Sequence, residues 1–553
     1  MAPTVSQLRI RGGVVFALLA LCMVARTSTN ERAWITVLST TDLHGNILPV
    51  DYYTGRPDAR GLAKVASIVR QARTENPSGT LLLDSGDAIQ GTPLEYVHNR
   101  IHNAPPDPMM SSMNALAFDA MTVGNHEYNF GLAVLEKAKS EARFPWLSAN
   151  TYRRGTNETY HRPYIVKELN GVRVGVLGLT TPGIPFWENT QNYAGLDFRE
   201  PVAEAKRWVE ILKGRERVDL VIVAMHMGLE EDLATGEPAP GQVLNENRAL
   251  AIARLVGGVD IVLTGHTHRE IPGVYVNGVL IMQANLWGRH VARADVFLEK
   301  TGQGAWSVAA KQARTIPITE STAVDADIAK LAEPYDQETR AWLDRAIGES
   351  DAELTAENAR FEDTALLDLV QRVQLDAGKA DVSMVASFNP QARLPKGVVT
   401  VRDIAGLYVY ENTLVVLEVT GQQLKEALEH SARFFRAFVP GRTRGELVDG
   451  RIPDYNFDIA EGVSYDLDVT RPFGQRVQNL RFRGQPLSPE QTLRLATNNY
   501  RVNGGGGYTM YKGAPEVYRS SQEIRELIVE WVEQHRRVPG APTNNWRLIA
   551  VPR

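Results

Sequence analysis

A chain of 553 residues is longer than one hydrophobic core organises, so it is expected to divide into two or three domains, with two as the working reading. Its 60 basic and 65 acidic residues are interspersed without long runs of one sign, which excludes the basic track that holds a long nucleic acid through counterion release. A small anion bound at one locally positive site remains compatible with that balance.

The N-terminus carries Arg9 and Arg11, then the apolar run VVFALLALCMVA at 14–25, then polar residues from Arg26. This is the layout of a secretory signal peptide over 1–25, cleaved near Ala25, because the run is shorter than the roughly 20 residues that span a membrane. An uncleaved anchor is the alternative. The only cysteine, Cys22, lies inside this segment after Leu21, a poor match to the small residue of a lipoprotein signal. The mature chain is then expected without a disulfide, which export permits but does not require. No apolar tail closes the sequence. A periplasmic or secreted monomer with no membrane span is the expectation.

From 34 to about 296 the sequence repeats a short apolar run, a polar or glycine-containing turn and a helix-like period, which reads as α/β. The expected strands are 35–40, 80–83, 120–123, 172–179, 219–225 and 260–263. Residues 325–347 have helix-forming composition with one interior proline, Pro334, and read as a linker helix kinked or broken there. A second, α+β pattern follows from about 361 to 549, with a strand at 414–419, a helix at 422–431 and a glycine run at 504–507.

Five strings at the ends of expected strands carry the chemistry: Asp42-Leu43-His44, Gly86-Asp87, Gly124-Asn125-His126-Glu127, His226, and Gly265-His266-Thr267-His268. Each alone has an ordinary explanation as a cap or turn former. Together they hold five of the eleven histidines. The other six, His98, His102, His161, His290, His430 and His535, have no such setting and read as structural or surface residues. Imidazole and carboxylate donors suit Zn, Mn, Co or Fe better than Ca or Mg, and a bridging carboxylate lets such a set hold two divalent metal ions.

In this order the strings resemble the signature of the metallophosphoesterases, and the chain from about 35 onward resembles the 5'-nucleotidase superfamily. That resemblance implies a four-layer αββα sandwich at 32–318, a linker helix at 319–350 and a C-terminal α+β substrate-binding domain at 351–553. By motif, Asp42, His44, Asp87 and His268 would bind one metal, and Asp87, Asn125, His226 and His266 the other. His126 would not be a ligand but would assist the leaving oxygen.

The strings TTDLHGN, GNHEYNFGL, LYVYENTL, YNFDIAEGVSYDLDVTRP, ATNNYR and NNWRL are similar to the cyclic-nucleotide 2'-phosphodiesterase/3'-nucleotidase branch. Where the 5'-nucleotidase branch has an aspartate three residues after the catalytic histidine, this chain has Asn129. The phosphate-gripping arginine of that branch is also missing from the segment Ala386-Ser387-Phe388-Asn389-Pro390, and Arg393 is out of register. The resemblance implies 2',3'-cyclic nucleotides and 3'-nucleotides as substrates, with Tyr410 and Tyr500 stacking the base. Asn498, Asn499 and Arg501 would contact base or ribose, and Gly505 lies in the glycine run, which fits either a close approach to a ligand or a flexible loop. The competing expectations are a 5'-nucleotidase or nucleotide-sugar hydrolase of the same superfamily, a non-catalytic secreted binding protein, and a nuclease acting on polymers.

Overall fold

Strands covered on both faces read as nearly continuous apolar runs, and the strands of the first domain do so. Leu220–His226 (LVIVAMH) and Thr80–Asp84 (TLLLD) are buried at every position. The computed structural model describes residues 31–549 except 234, 238–244, 301–303, 409, 411, 440 and 442. The expected signal peptide at 1–25, with Cys22, lies outside the described residues.

Two six-stranded sheets form the centre of the first domain. One runs in the order Trp306–Pro317, His290–Lys300, Arg32–Thr40, Thr80–Asp84, Ala120–Thr122 and Trp146–Leu147, and the other in the order Glu270–Val276, Val279–Ala284, Ile261–Thr264, Leu220–His226, Val172–Thr180 and Tyr164–Leu169. Between them lies one apolar layer in which Ile35, Val37, Leu81 and Leu83 meet Val174, Val176, Ile222 and Leu263. The helix Leu62–Glu75 covers the outside of the first sheet, and Pro201–Gly214 covers the second through Val202, Ala205, Val209 and Leu212. The four-layer αββα sandwich is therefore the observed architecture.

In each sheet the central strands are parallel: Arg32–Thr40 with Thr80–Asp84 and Ala120–Thr122, and Val172–Thr180 with Leu220–His226 and Ile261–Thr264. Their carboxyl ends consequently face one edge of the sandwich, where loops gather around a crevice. Asp42, Asp87, Asn125, His226 and His266 all sit at such ends.

Of the two alternatives for the linker, kinked or broken at Pro334, the structure shows no break, and only the linker's end differs from its expectation. Its helix is Ala326–Leu343, capped by the Asp325 carboxylate accepting from Asp327 N (3.1 Å) and Ile328 N (3.2 Å), and it passes Pro334 unbroken. Pro334 and Lys330 are both exposed, which places the carbonyl that the missing N–H leaves free on the solvent side of the helix, where water can satisfy it. The tail of the expected linker is not helical. Ala346–Ser350 is a strand, pairing with Gly397–Thr400 and Arg537–Val538. The helix is anchored to the first domain by Tyr52 Oη donating to Asp336 (2.8 Å) and Tyr335 Oη donating to the Pro106 carbonyl (2.6 Å), and Trp342 packs on Tyr96.

The second domain is built on a five-stranded sheet ordered Asp458–Glu461, Val382–Ala386, Thr492–Asn498, Thr413–Thr420 and Glu516–Glu523. The helices Ala365–Gly378, Gly421–Ser431 and Ile524–His535 pack on it through Val370, Leu424 and Ile528, among others. The expected strand at 414–419 and helix at 422–431 are present, the helix opened by a reciprocal Thr420–Gln423 cap. Among the described residues no helix is long and apolar enough to cross a membrane.

An exposed proline inside an intact helix forgoes a backbone hydrogen bond, so Pro334→Ala should stabilise the linker by about 1–3 kcal/mol. Hydrogen exchange across 326–343 should show the added protection. Unchanged exchange would mean that the helix carries no cost at that position.

Candidate metal and substrate site

The donor loops share an unusual backbone feature. Asp42, His44, Asp87, His266 and His268 all have positive φ, between 46° and 70°, a conformation that costs a non-glycine residue roughly 1–2 kcal/mol. The loops hold one another there. Asp42 N donates to Gly86 O (2.9 Å), His44 N to Asp87 O (2.8 Å), and His266 N to both oxygens of Asp42 (3.1 Å each). Gly124 makes the closest approach, since a Cβ there would lie 2.1 Å from Asp87 Oδ1. Glu127 clamps the same region, accepting from the backbone N–H of Gly124 (2.6 Å), Ala88 (2.6 Å) and Asp87 (3.0 Å).

The side chains converge in two groups, Asp42 with His44 and His268, and Asp87 with His226 and His266. Two ligands about 2.1 Å from one ion at a tetrahedral angle lie roughly 3.4 Å apart. Here His268 Nε2 is 3.4 Å from Asp42 Oδ1 and 3.1 Å from His44 Nε2, and His226 Nε2 is 2.9 Å from Asp87 Oδ2 and 3.1 Å from Asn125 Oδ1. Asp87 Oδ2 is also 3.9 Å from His44 Nε2, so this carboxylate stands between the groups.

The imidazole orientations fit the same purpose. His44 Nδ1 faces the Gln90 carbonyl (3.0 Å) and His226 Nδ1 faces the Ser85 carbonyl (2.7 Å). A carbonyl only accepts, so each Nδ1 carries a hydrogen and each Nε2 is the nitrogen turned toward the centre, where it would bind an ion in its unprotonated form. Burial pushes His44 down to about 4, which keeps its ring neutral. Burial opposes charge on Asp87, yet the imidazole of His226 at 2.9 Å holds its carboxyl well below the ordinary range, and against burial the carboxylate in turn raises His226 to about 10, so without an ion the two form a buried ion pair whose proton a metal would replace. The donor set therefore fits two divalent ions.

His126 stands beside this centre without joining either group. Its Nε2 is 4.0 Å from Asp87 Oδ2, its Nδ1 lies 2.6 Å from Asn129 Oδ1, and its side chain is 35% exposed. With His268, 43% exposed, it marks the open side of the centre.

The second domain presents its aromatics to the first. Tyr410, 44% exposed, meets Phe388 edge-on at 5.2 Å and Tyr455 at 6.4 Å. Burial, then the neighbouring phenol of Tyr455, raises Tyr500, which also feels Glu246. Glu246 belongs to the first domain and accepts from His266 Nε2 at 2.8 Å. Beside Tyr500, Asn499 Nδ2 donates to the Trp187 carbonyl (2.9 Å), and the Trp187 ring lies 5.3 Å from that of His266. Gly505 serves this packing, because a Cβ there would meet the Tyr500 ring at 2.5 Å.

Two sequence expectations are corrected. Arg501 does not face the crevice: it is 1% exposed, and its guanidinium bonds both oxygens of Asp458 at 2.8 Å. Asn498 is likewise buried, its side chain capping Asn499–Val502 by accepting from Arg501 N (2.9 Å). Arg393, out of register in the sequence, is engaged by Glu353 and Glu357. Sequence reasoning missed Phe388, Tyr455, Trp187, Glu188 and Glu246. Phe388 and Tyr455 stood inside strings already singled out, whereas the other three belong to no motif and become visible only when the chain is folded.

Residues 35–270 match the family model of calcineurin-like phosphoesterases, and residues 346–513 match that of the 5'-nucleotidase C-terminal domain. The chain is 28% identical over 589 residues to the trifunctional nucleotide phosphoesterase protein YfkN of Bacillus subtilis, covering 95% of this chain but only 40% of that protein. It is 29% identical over 594 residues to a 2',3'-cyclic-nucleotide 2'-phosphodiesterase/3'-nucleotidase of Haemophilus influenzae, covering 94% and 88%. A Staphylococcus aureus crystal structure, described as a candidate 5'-nucleotidase in complex with alpha-ketoglutarate, superposes with a TM-score of 0.80 at 29% identity, covering 93% of this chain and 100% of that one. The chain is thus a metallophosphoesterase in which a calcineurin-like phosphoesterase domain is joined to a 5'-nucleotidase C-terminal domain. That family implies divalent metal ions, and the two donor groups are the candidate places for them.

Removing one partner of a buried ion pair costs about 3–5 kcal/mol, because the other charge is left uncompensated. Arg501→Met should therefore lower the melting temperature of the second domain, and adding Asp458→Asn should recover part of the loss. An unchanged melt with a selective loss of nucleotide affinity would return Arg501 to the substrate.

Proposed function

We propose that this protein is an exported two-metal phosphoesterase that opens 2',3'-cyclic nucleotides to 3'-nucleotides and then hydrolyses 3'-nucleotides to nucleoside and phosphate. The observation that carries this reading is the meeting of two donor groups around Asp87 with the aromatic cluster of the second domain, joined through Asn499, Trp187 and His266. Asp42, His44, Asp87 and His268 hold one ion, and Asp87, Asn125, His226 and His266 the other, with Asp87 shared. Zn, Mn, Co or Fe suits these donors. Such ions supply a water that is deprotonated at neutral pH and neutralise the phosphoryl oxygens.

The chain's own groups do the remaining work. His126, exposed beside the centre and not used as a ligand, donates through Nε2 to the departing oxygen, which is O2' in the first step. Tyr410 and Tyr500 hold the base, and Asn499 closes the edge against the first domain. No arginine takes up a phosphate from the segment 386–390, and Arg393 is engaged by Glu353 and Glu357, which favours this reading over a 5'-nucleotidase. The leader at 1–25 directs the chain to the periplasm or the medium.

Rates on 2',3'-cyclic AMP, 3'-AMP and 5'-AMP measured side by side test the assignment. The first two should exceed the third, and Asp87→Ala should abolish turnover while removing metal from both positions. A preference for 5'-AMP would overturn the substrate reading, and two retained ions with normal activity in Asp87→Ala would overturn the metal reading.

Stacking of a base on an aromatic ring is worth about 1–3 kcal/mol, so Tyr410→Ala or Tyr500→Ala should raise KM for cyclic AMP roughly five- to a hundredfold. Bis(p-nitrophenyl) phosphate has no base and should be turned over much as before. Parallel losses on both substrates would make these tyrosines packing residues.

A further inference from the structure

Behind His126 a line of hydrogen bonds runs into the junction of the domains. His126 Nδ1 lies 2.6 Å from Asn129 Oδ1, and Asn129 Nδ2 donates to Glu188 Oε2. The other oxygen of Glu188 accepts from Asn189 N (2.6 Å) and from Asn192 Nδ2 (2.9 Å). Asn192 Nδ2 also reaches the Asn129 carbonyl at 3.0 Å, and Arg100 reaches the same carbonyl at 3.4 Å. These groups form one wall of a polar cavity of about 260 Å³, closed on the other side by Thr413, Asn499 and Glu523 of the second domain.

We propose that Glu188 is the positioning residue for the leaving-group histidine, acting through the amide of Asn129. The inference rests on the role given to His126 under the proposed function. An amide has a donor end and an acceptor end of nearly the same shape, so packing alone does not decide which end faces the imidazole. The carboxyl of Glu188 decides it. Burial raises it above the ordinary range, but three N–H donors meet its oxygens and support the carboxylate form, so it takes the N–H end of Asn129 and leaves the carbonyl end for His126 Nδ1. That nitrogen then keeps its hydrogen, and Nε2 is turned toward the centre, where it stands 4.0 Å from Asp87. With the amide reversed, N–H would oppose N–H, and the ring would lose its support or turn away.

Glu188 is held firmly enough for this task. Three donors occupy its oxygens, two of them from the turn that carries it, and Asn192 bonds both Glu188 and the Asn129 backbone, fixing the distance between them. Glu188 touches neither donor group, so its effect on metal content should be small.

The test compares Glu188→Gln, Asn129→Asp, the double variant and His126→Asn. In Glu188→Gln the amide of Asn129 is no longer oriented, and kcat on 2',3'-cyclic AMP should fall about tenfold, the lower end of what outer partners of an imidazole contribute. KM and two bound ions per chain should be retained. Bis(p-nitrophenyl) phosphate, whose leaving group needs little protonation, should lose much less. Asn129→Asp alone sets two carboxylates against each other and should lose as much. In the double variant the introduced amide donates to the introduced carboxylate, which still accepts from His126, so kcat should recover most of what Asn129→Asp loses. A native kcat in Glu188→Gln, or no recovery in the double variant, overturns the inference. Should Glu188→Gln melt early, the comparison of Asn129→Asp with the double variant decides. His126→Asn separates the two readings: an equal loss on both substrates removes the leaving-group role itself, whereas a selective loss there with none in Glu188→Gln removes only Glu188.

Discussion

The carboxylate of Asp87 is the point on which the two halves of the catalytic domain meet. It follows the strand Thr80–Asp84 of one sheet, its Oδ2 lies 2.9 Å from His226 Nε2 at the end of a strand of the other, and its Oδ1 accepts from the backbone of His126 (2.9 Å). A buried carboxylate without compensation is among the costliest features a core can carry. His226 and the loop backbone supply that compensation, and the left-handed conformations at five donor residues are the local cost of bringing them there. Because the central strands are parallel, the loops that bear these donors leave from the same edge. A slip of one residue in either sheet would turn the donors to the opposite face.

The second domain contributes what a metal centre cannot, an aromatic surface that, on the proposed function, distinguishes a nucleoside from other phosphate esters. Its sheet ends in the segment that carries Tyr500, and Arg501 anchors that segment from below through Asp458, Asn456 and the Gly505 carbonyl. The guanidinium thus spends its donors on the loop, which is why Tyr500 can stand rigid and partly exposed. Phe388 and Tyr455 brace Tyr410 in the same manner. A stacking ring gains affinity only when its position is already fixed, since ordering it on binding would cost side-chain entropy.

Much of this was legible in the amino-acid sequence, for reasons that can be given residue by residue. The apolar runs ending in Thr40, Leu83 and Met225 could only be buried strands, and polar residues directly after them had to lie at sheet ends. The linker was less legible: Pro334 signals a break, but its exposure lets water replace the lost bond, and the strand Ala346–Ser350 continues helix-like composition without a punctuating glycine before it. Arg501 was misread because an arginine next to a stacking tyrosine suggests a ligand contact, while its partner Asp458 is 43 residues away and nothing local marks the pair. Glu188, Trp187 and Glu246 were invisible for the same reason. Their roles arise from long-range contact and not from spacing.

The pairing of Asn129 with Glu188 also bears on the kind of substrate the centre accepts. Placing a carboxylate directly on a histidine stabilises its cationic form, but it also sets a negative charge close to an anionic phosphate ester. Here the amide of Asn129 makes the direct contact and the charge stands one side chain further off, among Asn189, Asn192 and the cavity wall. Coulomb repulsion falls with distance and is further screened where polar groups surround the charge. In the proposed role the histidine keeps an oriented acceptor on Nδ1, and the carboxylate charge, met by three N–H donors, stands away from the phosphate. For a ring-opening step the leaving oxygen remains tethered to the ribose and stays beside Nε2 after the bond breaks, so the geometry of the imidazole counts for more than the strength of its acidity.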